Sequence, residues 1–354
     1  MRIAYYAPLK SPDHPTPSGD RRMARLLVTA LEAAGHVVDI PCRLRAYDGM
    51  GDLARQSAIK ADGDRQAMGL LDAYSDNLRP RPDIWFTYHL FYKAPDWLGP
   101  RISEALDIPY VVAEASHAPK RAGGAWDLGH HATQNAIAMA SLIIGFNEND
   151  AACVRDVADS QARIITIPPF IDTLPYVAAA AERQTYRAMV AGQYNVSPGQ
   201  PWLLTVAMMR TGDKLASYRQ LGQALAALKE RPWHLFVAGD GEAKDEVRMA
   251  LTPVAERITW LGAQENEALA GIYAASDLYV WPSVREAYGM AFIEAQAAGV
   301  PVIGARVGGV PGVVRAPDTG ILVKPDDIKA FTAAIASLLA DDTARASMGQ
   351  LAQE

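Results

Sequence analysis

Short apolar runs recur along the whole chain, each followed by a polar turn and then a stretch with helical spacing. The first half offers RIAYYAP, VVDIPC, DIWFTY, YVVAEA, SLIIGF and RIITIP as strands. The second half restarts the pattern with WLLTVA, WHLFVAG, ITWLG, LYVWPS, VPVIGA and GILVKP. Between them, RRMARLLVTALEAAGH (stopping at Gly35), YRQLGQALAALKER and ALAGIYAAS carry the period of amphipathic helices. Alternation at this spacing predicts parallel sheets with helices on both faces. Because the pattern runs twice, the expected α/β fold is two doubly wound, Rossmann-like domains facing each other across a cleft. The break falls in PPFIDTLPY (168–176), followed by the helix-like AAAAERQTYRAMVAG. This sets residues 1–172 as one domain, 173–200 as a linker and connecting helix, and 201–354 as the other. Ligands of such sheets sit at the carboxyl ends of the strands.

Composition narrows the partners. A chain of 354 residues exceeds one ordinary core, and 50% hydrophobic with 21% charged residues reads as soluble and globular. A net charge of -6, with neither half basic, excludes a general nucleic-acid binder. An anionic ligand must then be met by a few local cations or by helix ends. Cys42 and Cys153 give no disulfide framework, which points to a reducing compartment. MRIAYYAPL lacks a signal-length apolar region, and AIAMASLIIGF (136–146) is far short of the roughly 20 residues that span a bilayer. A cytoplasmic location is expected, with peripheral contact at the inner face of a membrane left open.

The candidate chemistry centres on SVREAYGMAFIEAQAAGVPVIG (283–304). Glu286 falls in a strand-to-helix loop, and Glu294 lies within the following helix, which Gly299 and Pro301 close. Eight residues at helical rise separate the carboxylates by roughly 12 Å. Glycosidase pairs stand about 5 to 9.5 Å apart, so this pair fits a longer ligand. Midway lies a helix start, where the N–H groups of Tyr288, Gly289 and Met290 can cradle an anion and Gly289 lets the backbone come close. Hydroxyls, phosphate, hydroxyls: the order describes a nucleotide sugar. Two solvated glutamates beside a helix start, where acids are favourable anyway, are the competing reading.

Other strand ends supply company. TVAMMRTGDKLASYRQLGQAL places Arg210 and Lys214 in a loop where they could neutralise a diphosphate leaving group. LFVAGDGEAKDE carries Gly239 and Gly241, which suit either a close ligand approach or a simple turn. TPSGDRR puts Gly19 at the opening of the first helix, where it can meet a phosphate or sugar. His117 follows a strand, and a lone histidine is more often structural than catalytic. Its spacing to His130 and His131 fits no zinc pattern, so no metal site is expected.

Taken in order, TVAMMRTGDK, LFVAGDGE, the block from ITWLGAQENEALAGIYAASDLYVWPS through VREAYGMAFIEAQAAGVPVIGARVGGVPGVV, and TGILVKPDD resemble glycosyltransferase family 4. These are retaining enzymes of GT-B fold with an E-x7-E signature. The resemblance covers about residues 202–345; TPSGDRR, EASH and IPPFID extend it loosely into the first half. It implies an acceptor-side first domain and a nucleotide-sugar-binding second domain. Glu286 would contact donor-sugar hydroxyls near the reacting carbon, and Glu294 the ribose. Arg210 and Lys214 would contact the diphosphate, with Gly19 facing it, and His117 would lie beside the transferred sugar. WLGAQ (260–264), with Gly262 and Ala263, would lie against the base. Two departures stand out. Family glycines before the arginine and after the lysine are Met209 and Leu215 here. The chain also stops at ASMGQLAQE, inside a helix, where a terminal helix returning to the first domain is usual.

The implied reaction moves a hexose from a UDP- or GDP-linked donor to an acceptor hydroxyl with retention, the departing phosphate accepting the acceptor's proton. No D-x-D motif appears at a strand end, so no divalent cation and no other cofactor is expected. The acceptor implied is a saccharide or lipid-linked saccharide in polysaccharide or lipopolysaccharide assembly. RAYDGMGDLARQSAIKADGDRQAMGLLDAYSDNLRP (45–80) reads either as acceptor-side lining or as a helical crossover. A nucleotide-sugar epimerase, a sugar phosphorylase and a non-catalytic nucleotide-sugar-binding protein are the alternatives on the same fold.

Overall fold

The computed structural model describes residues 1–354 apart from Pro17, Asn147, Glu265 and Tyr288 and the side chains of residues 148–151, 266 and 267. It divides into two compact units, Met1–Pro168 and Pro169–Glu354.

The first unit holds β1 (Arg2–Tyr6), β2 (Val37–Asp39), β3 (Ile84–Leu90), β4 (Tyr110–Ala115), β5 (Leu142–Gly145) and β6 (Arg163–Thr166). All pair in parallel in the order β2-β1-β3-β4-β5-β6. The crossovers carry α1 (Gly19–Ala33), α2 (Leu53–Ser75), α3 (Gly99–Leu106), α4 (Asp127–Met139) and α5 (Glu148–Arg155). Residues 45–80 are thus largely the helical crossover from β2 to β3. Helix starts follow local chemistry: Ser18 accepts from the Arg21 N–H, and Asp52 accepts from the Ala54 and Arg55 N–H groups. Tyr6, Trp85, Leu90, Ile102 and Tyr110 form the centre of this core. Asp96 is buried with them, accepting from the Tyr110 hydroxyl and the Leu98 and Gly99 N–H groups. Burial nonetheless raises its pKa above the ordinary carboxylate value, against the lowering effect of those bonds.

The second unit repeats the plan with β7 (Trp202–Val206), β8 (His234–Ala238), β9 (Ile258–Gly262), β10 (Leu278–Val280), β11 (Val302–Ala305) and β12 (Gly320–Val323). The order is β12-β11-β10-β7-β8-β9, again parallel throughout. Its helices are α6 (Leu174–Ala181), α7 (Arg183–Tyr194), α8 (Asp213–Ala226), α9 (Lys244–Ala250), α10 (Asn266–Ala275), α11 (Met290–Ala297), α12 (Val310–Val313), α13 (Ile328–Ala340) and α14 (Asp342–Gln353). Among the described residues, all twelve strands fall on the apolar runs of the sequence. Tyr176, Ala179 and Val190 place α6 and α7 in the same core as Trp202, Phe236, Tyr279 and Trp281. Arg183 and Arg187 both grip Asp277, at 2.6 and 2.9 Å, and Arg187 also lies 4.2 Å over the Trp202 ring. Among the described residues, no helix is long and apolar enough to cross a membrane.

Candidate functional site

Each sheet reverses its winding direction at one place: between β1 and β3 in the first, and between β7 and β10 in the second. At such a switch point the two flanking loops diverge and leave a crevice at the strands' carboxyl ends. An Asp–His pair stands at the first and a Lys–Glu pair at the second.

In the second unit, Lys214 lies in the first turn of α8, after β7, and Glu286 in the loop after β10. Lys214 Nζ is 2.5 Å from Glu286 Oε2 and 5.5 Å from the centre of the Trp281 ring. The loop that holds Glu286 is unusual. Ser283 and Arg285 both have left-handed backbone, at φ 65° and 50°, a costly conformation for residues with side chains. The buried Ser217 hydroxyl on α8 accepts from the Val284 N–H, and the Glu286 carbonyl accepts from the Gly309 N–H. Gly308 is required beside it: at φ 54°, a Cβ there would stand 1.8 Å from the Glu286 carbonyl oxygen. The glutamate is therefore fixed from both neighbouring loops.

Gly289, at φ 71°, caps the start of α11, and Met290 is that helix's first residue. Their N–H groups precede the intrahelical ladder and remain able to receive an anion. Tyr288 lies outside the described residues. Glu294 sits one turn into α11 and is only 1% exposed. Burial and then the Glu294 carboxylate push the Tyr273 phenol well above its ordinary pKa. Tyr279 on β10 is raised by burial and by both Glu286 and Glu294, so one ring feels both acids of the motif.

The remaining residues named for this half differ in how they are held. Arg210 is exposed, and among the described residues its side chain makes no hydrogen bond or ion pair. Gly239 (φ 146°) and Gly241 (φ 156°) are explained by packing within the protein. A Cβ on either would collide with the carbonyl oxygens of Ala207 or Met209, at 1.9 and 2.2 Å. That packing ties the Arg210 loop to the loop after β8, reinforced by the Met209 N–H to the Asp240 carbonyl. Met209, where the family has glycine, is buried and fills this junction. Gly262 (φ 68°) has open space around it, and Ala263 is exposed.

In the first unit, Asp20, one residue after Gly19 in α1, meets His89 at the end of β3, with Oδ1 3.1 Å from Nδ1. Glu114, near the end of β4, approaches the same nitrogen at 3.8 Å. Burial alone would raise the Asp20 carboxyl, but the His89 hydrogen bond and charge bring it below its ordinary range. His89 and Glu114 are both left-handed, at φ 61° and 60°. The sequence reading missed this trio, although GDRR and EASH each contain one member. The missing signal was the adjacency of β1 and β3. His117 is half-buried and stacks on His130, ring centres 5.0 Å apart. Burial, then His130, lower its pKa, which keeps the ring neutral at pH 7. Among the described residues, no three His, Cys, Asp or Glu side chains are grouped as a metal site.

Two strictly parallel, doubly wound units have the topology of the GT-B fold. The chain superposes on sucrose-phosphate synthase from Thermosynechococcus elongatus with a TM-score of 0.72, covering 100% of this chain and 93% of that one at 21% identity. Anabaena HepE, solved in complex with UDP-glucose, gives 0.65 over 100% and 93% at 16% identity. At these identities the likeness is one of fold. Residues 200–341 match the family model of the glycosyl transferases group 1. Over 101 residues the chain is 43% identical to D-inositol 3-phosphate glycosyltransferase of Corynebacterium efficiens, covering 28% of this chain and 24% of that protein. The chain spans between 24% and 54% of the length of the named relatives it matches.

Proposed function

We propose that the protein transfers a hexose from a UDP- or GDP-linked donor to an acceptor hydroxyl, with retention and without a metal, in assembling a cell-surface polysaccharide or lipopolysaccharide. The observation that carries this reading is the Lys214–Glu286 pair at the switch point of a group 1 sheet. Lys214, Arg210 and the start of α11 would take the diphosphate, Glu286 the sugar hydroxyls, and Glu294 the ribose. The bond from the anomeric carbon to the phosphate oxygen breaks as the bond to the acceptor oxygen forms. The acceptor proton leaves on the departing phosphate. In this account the catalytic effect is electrostatic: donors held in place meet charge as it grows on the leaving group. Lys214 is kept aimed by Glu286 and Trp281 before the donor arrives. His117, neutral, contributes hydrogen bonding to the sugar rather than charge.

This reading puts the reaction in the cytoplasm or at the inner face of the membrane, where nucleotide sugars are the donor pool. The experiment is product analysis with UDP- and GDP-hexoses in EDTA, with and without a saccharide acceptor. Sugar transfer only when acceptor is present supports the proposal. Donor conversion without acceptor would instead mark an epimerase, and binding without turnover a sensor. Activity appearing only on addition of Mg²⁺ would overturn metal independence.

A further inference from the structure

Three successive residues of the loop after β10 meet the first turns of α8 one by one. The Val284 N–H donates to the buried Ser217 hydroxyl at 3.0 Å, and that hydroxyl donates in turn to the Asp213 carbonyl. Arg285 Nη1 stands 3.9 Å from Asp213 Oδ1, and Glu286 Oε2 lies 2.5 Å from Lys214 Nζ. The loop thus offers a cation followed by an acid to a helix that offers an acid followed by a cation. Lys214 and Glu286 belong to the proposed donor site; Asp213 and Arg285 are their chain neighbours, paired with each other.

Arg285 is held in place at a conformational cost. Its φ of 50° is left-handed, a region that residues with a Cβ adopt rarely and keep only where the surroundings impose it. Those surroundings act from both sides. Ser217 takes the N–H of the residue before, and the Gly309 N–H donates to the carbonyl of the residue after, at 3.2 Å. A loop with no use for the side chain would carry glycine here. The guanidinium so positioned is 82% exposed, makes no hydrogen bond among the described residues, and meets Asp213 only at the outer limit of an ion pair. Such a pair holds weakly, whereas arginine grips phosphate oxygens with two parallel N–H donors. Asp213 raises the complementary question. An acid suits the first turn of a helix, but this one adjoins Lys214 and would repel a diphosphate bound there.

We infer that Arg285 is a further diphosphate-binding residue, and that Asp213 is the counter-ion it rests on until the donor arrives. Both cations then start on carboxylates of the protein, Lys214 on Glu286 and Arg285 on Asp213. The incoming diphosphate takes Arg285 from Asp213. A nucleoside monophosphate has less charge and fewer oxygens with which to displace that carboxylate, so the exchange selects the diphosphate. This rests on the donor reading and adds to it the residue pair that discriminates by phosphate charge.

The test is calorimetric titration of the full chain in EDTA with UDP, UMP, GDP and GMP, on wild type, R285Q, D213N and the double variant D213N/R285Q. Both side chains are at least half exposed, so the variants should fold as the wild type does. For the base that binds, R285Q should weaken the diphosphate about tenfold and the monophosphate no more than about twofold. D213N should do the opposite and tighten the diphosphate about threefold, a gain that disappears in the double variant because Asp213 acts through Arg285. A diphosphate affinity unchanged in R285Q, or weakened in both single variants, would make the pair a surface ion pair only and overturn the inference. A gain from D213N of equal size with and without Arg285 would mark direct repulsion by Asp213 and overturn the exchange. If the wild type binds none of the four nucleotides, the donor reading itself falls; if it binds and the single variants do not part in sign, only the assignment of Arg285 and Asp213 does.

Discussion

Lys214 Nζ rests 2.5 Å from Glu286 Oε2, joining two residues 72 positions apart across the winding reversal between β7 and β10. The pair is partly exposed, so it contributes little to stability, about 0–1 kcal/mol. In the proposed mechanism its value lies in pre-orienting the cation. Glu286→Ala and Lys214→Ala should each lower kcat by about 10²–10³ while leaving Tm nearly unchanged. Because the two side chains act as a unit, the double variant should be far less impaired than the product of the singles. Steady-state kinetics and melting curves of the three variants check this; unchanged kcat in Glu286→Ala would remove the pair from the chemistry.

Gly308→Ala tests the same glutamate from its backbone. The added Cβ would stand 1.8 Å from the Glu286 carbonyl oxygen, at a residue with φ 54°. The loop must move, so activity should fall at least tenfold although residue 308 bears no functional group. Gly312→Ala, where a Cβ would meet nothing within 4 Å, is the control and should retain activity.

What could be read from the sequence follows from the range of each interaction. Strands were legible because alternation and apolar runs are local, and Glu286 with Glu294 because they share one loop and helix. The polar loop after a strand already pointed to Lys214, but its ion pair with Glu286 depends on β7 lying beside β10. The Asp20–His89–Glu114 trio was invisible for the same reason. Left-handed backbone at Ser283, Arg285, His89 and Glu114 leaves no mark in residue type, since none is glycine. Gly239 and Gly241 illustrate the opposite case. A ligand-approach motif on paper is also a place where one loop's backbone rests on another's.

Asp277 should matter for stability and not for chemistry. It accepts from Arg183, Arg187 and the Trp202 N–H, joining α7 to the start of β7. Asp277→Ala leaves two arginines without their carboxylate and should destabilise the second unit by about 3 kcal/mol. Denaturant melts should show a lowered midpoint with kcat preserved at temperatures where the variant is folded.

Acid should weaken the fold through His234. Burial lowers its pKa from 6.5 to about 4, and its Nε2 lies 2.8 Å from the Thr259 hydroxyl. Between those values the unfolded chain binds a proton that the folded one refuses, so stability falls as pH drops from about 6.5 towards 4. His234→Gln should flatten that slope. Parallel Tm decline in wild type and variant across the window would assign the acid sensitivity elsewhere.

The most direct test of the account is a thermal-shift panel of UDP, GDP, ADP and TDP in EDTA, on wild type and Glu294→Gln. A nucleotide at a hundredfold excess over its Kd stabilises the native state by about 2.7 kcal/mol. The account predicts that UDP or GDP raises the wild-type Tm strongly without metal, and that Glu294→Gln, melting normally when unliganded, responds much less. If the variant responds as the wild type does, or if no nucleotide shifts the wild type, the second unit does not hold its donor in this way.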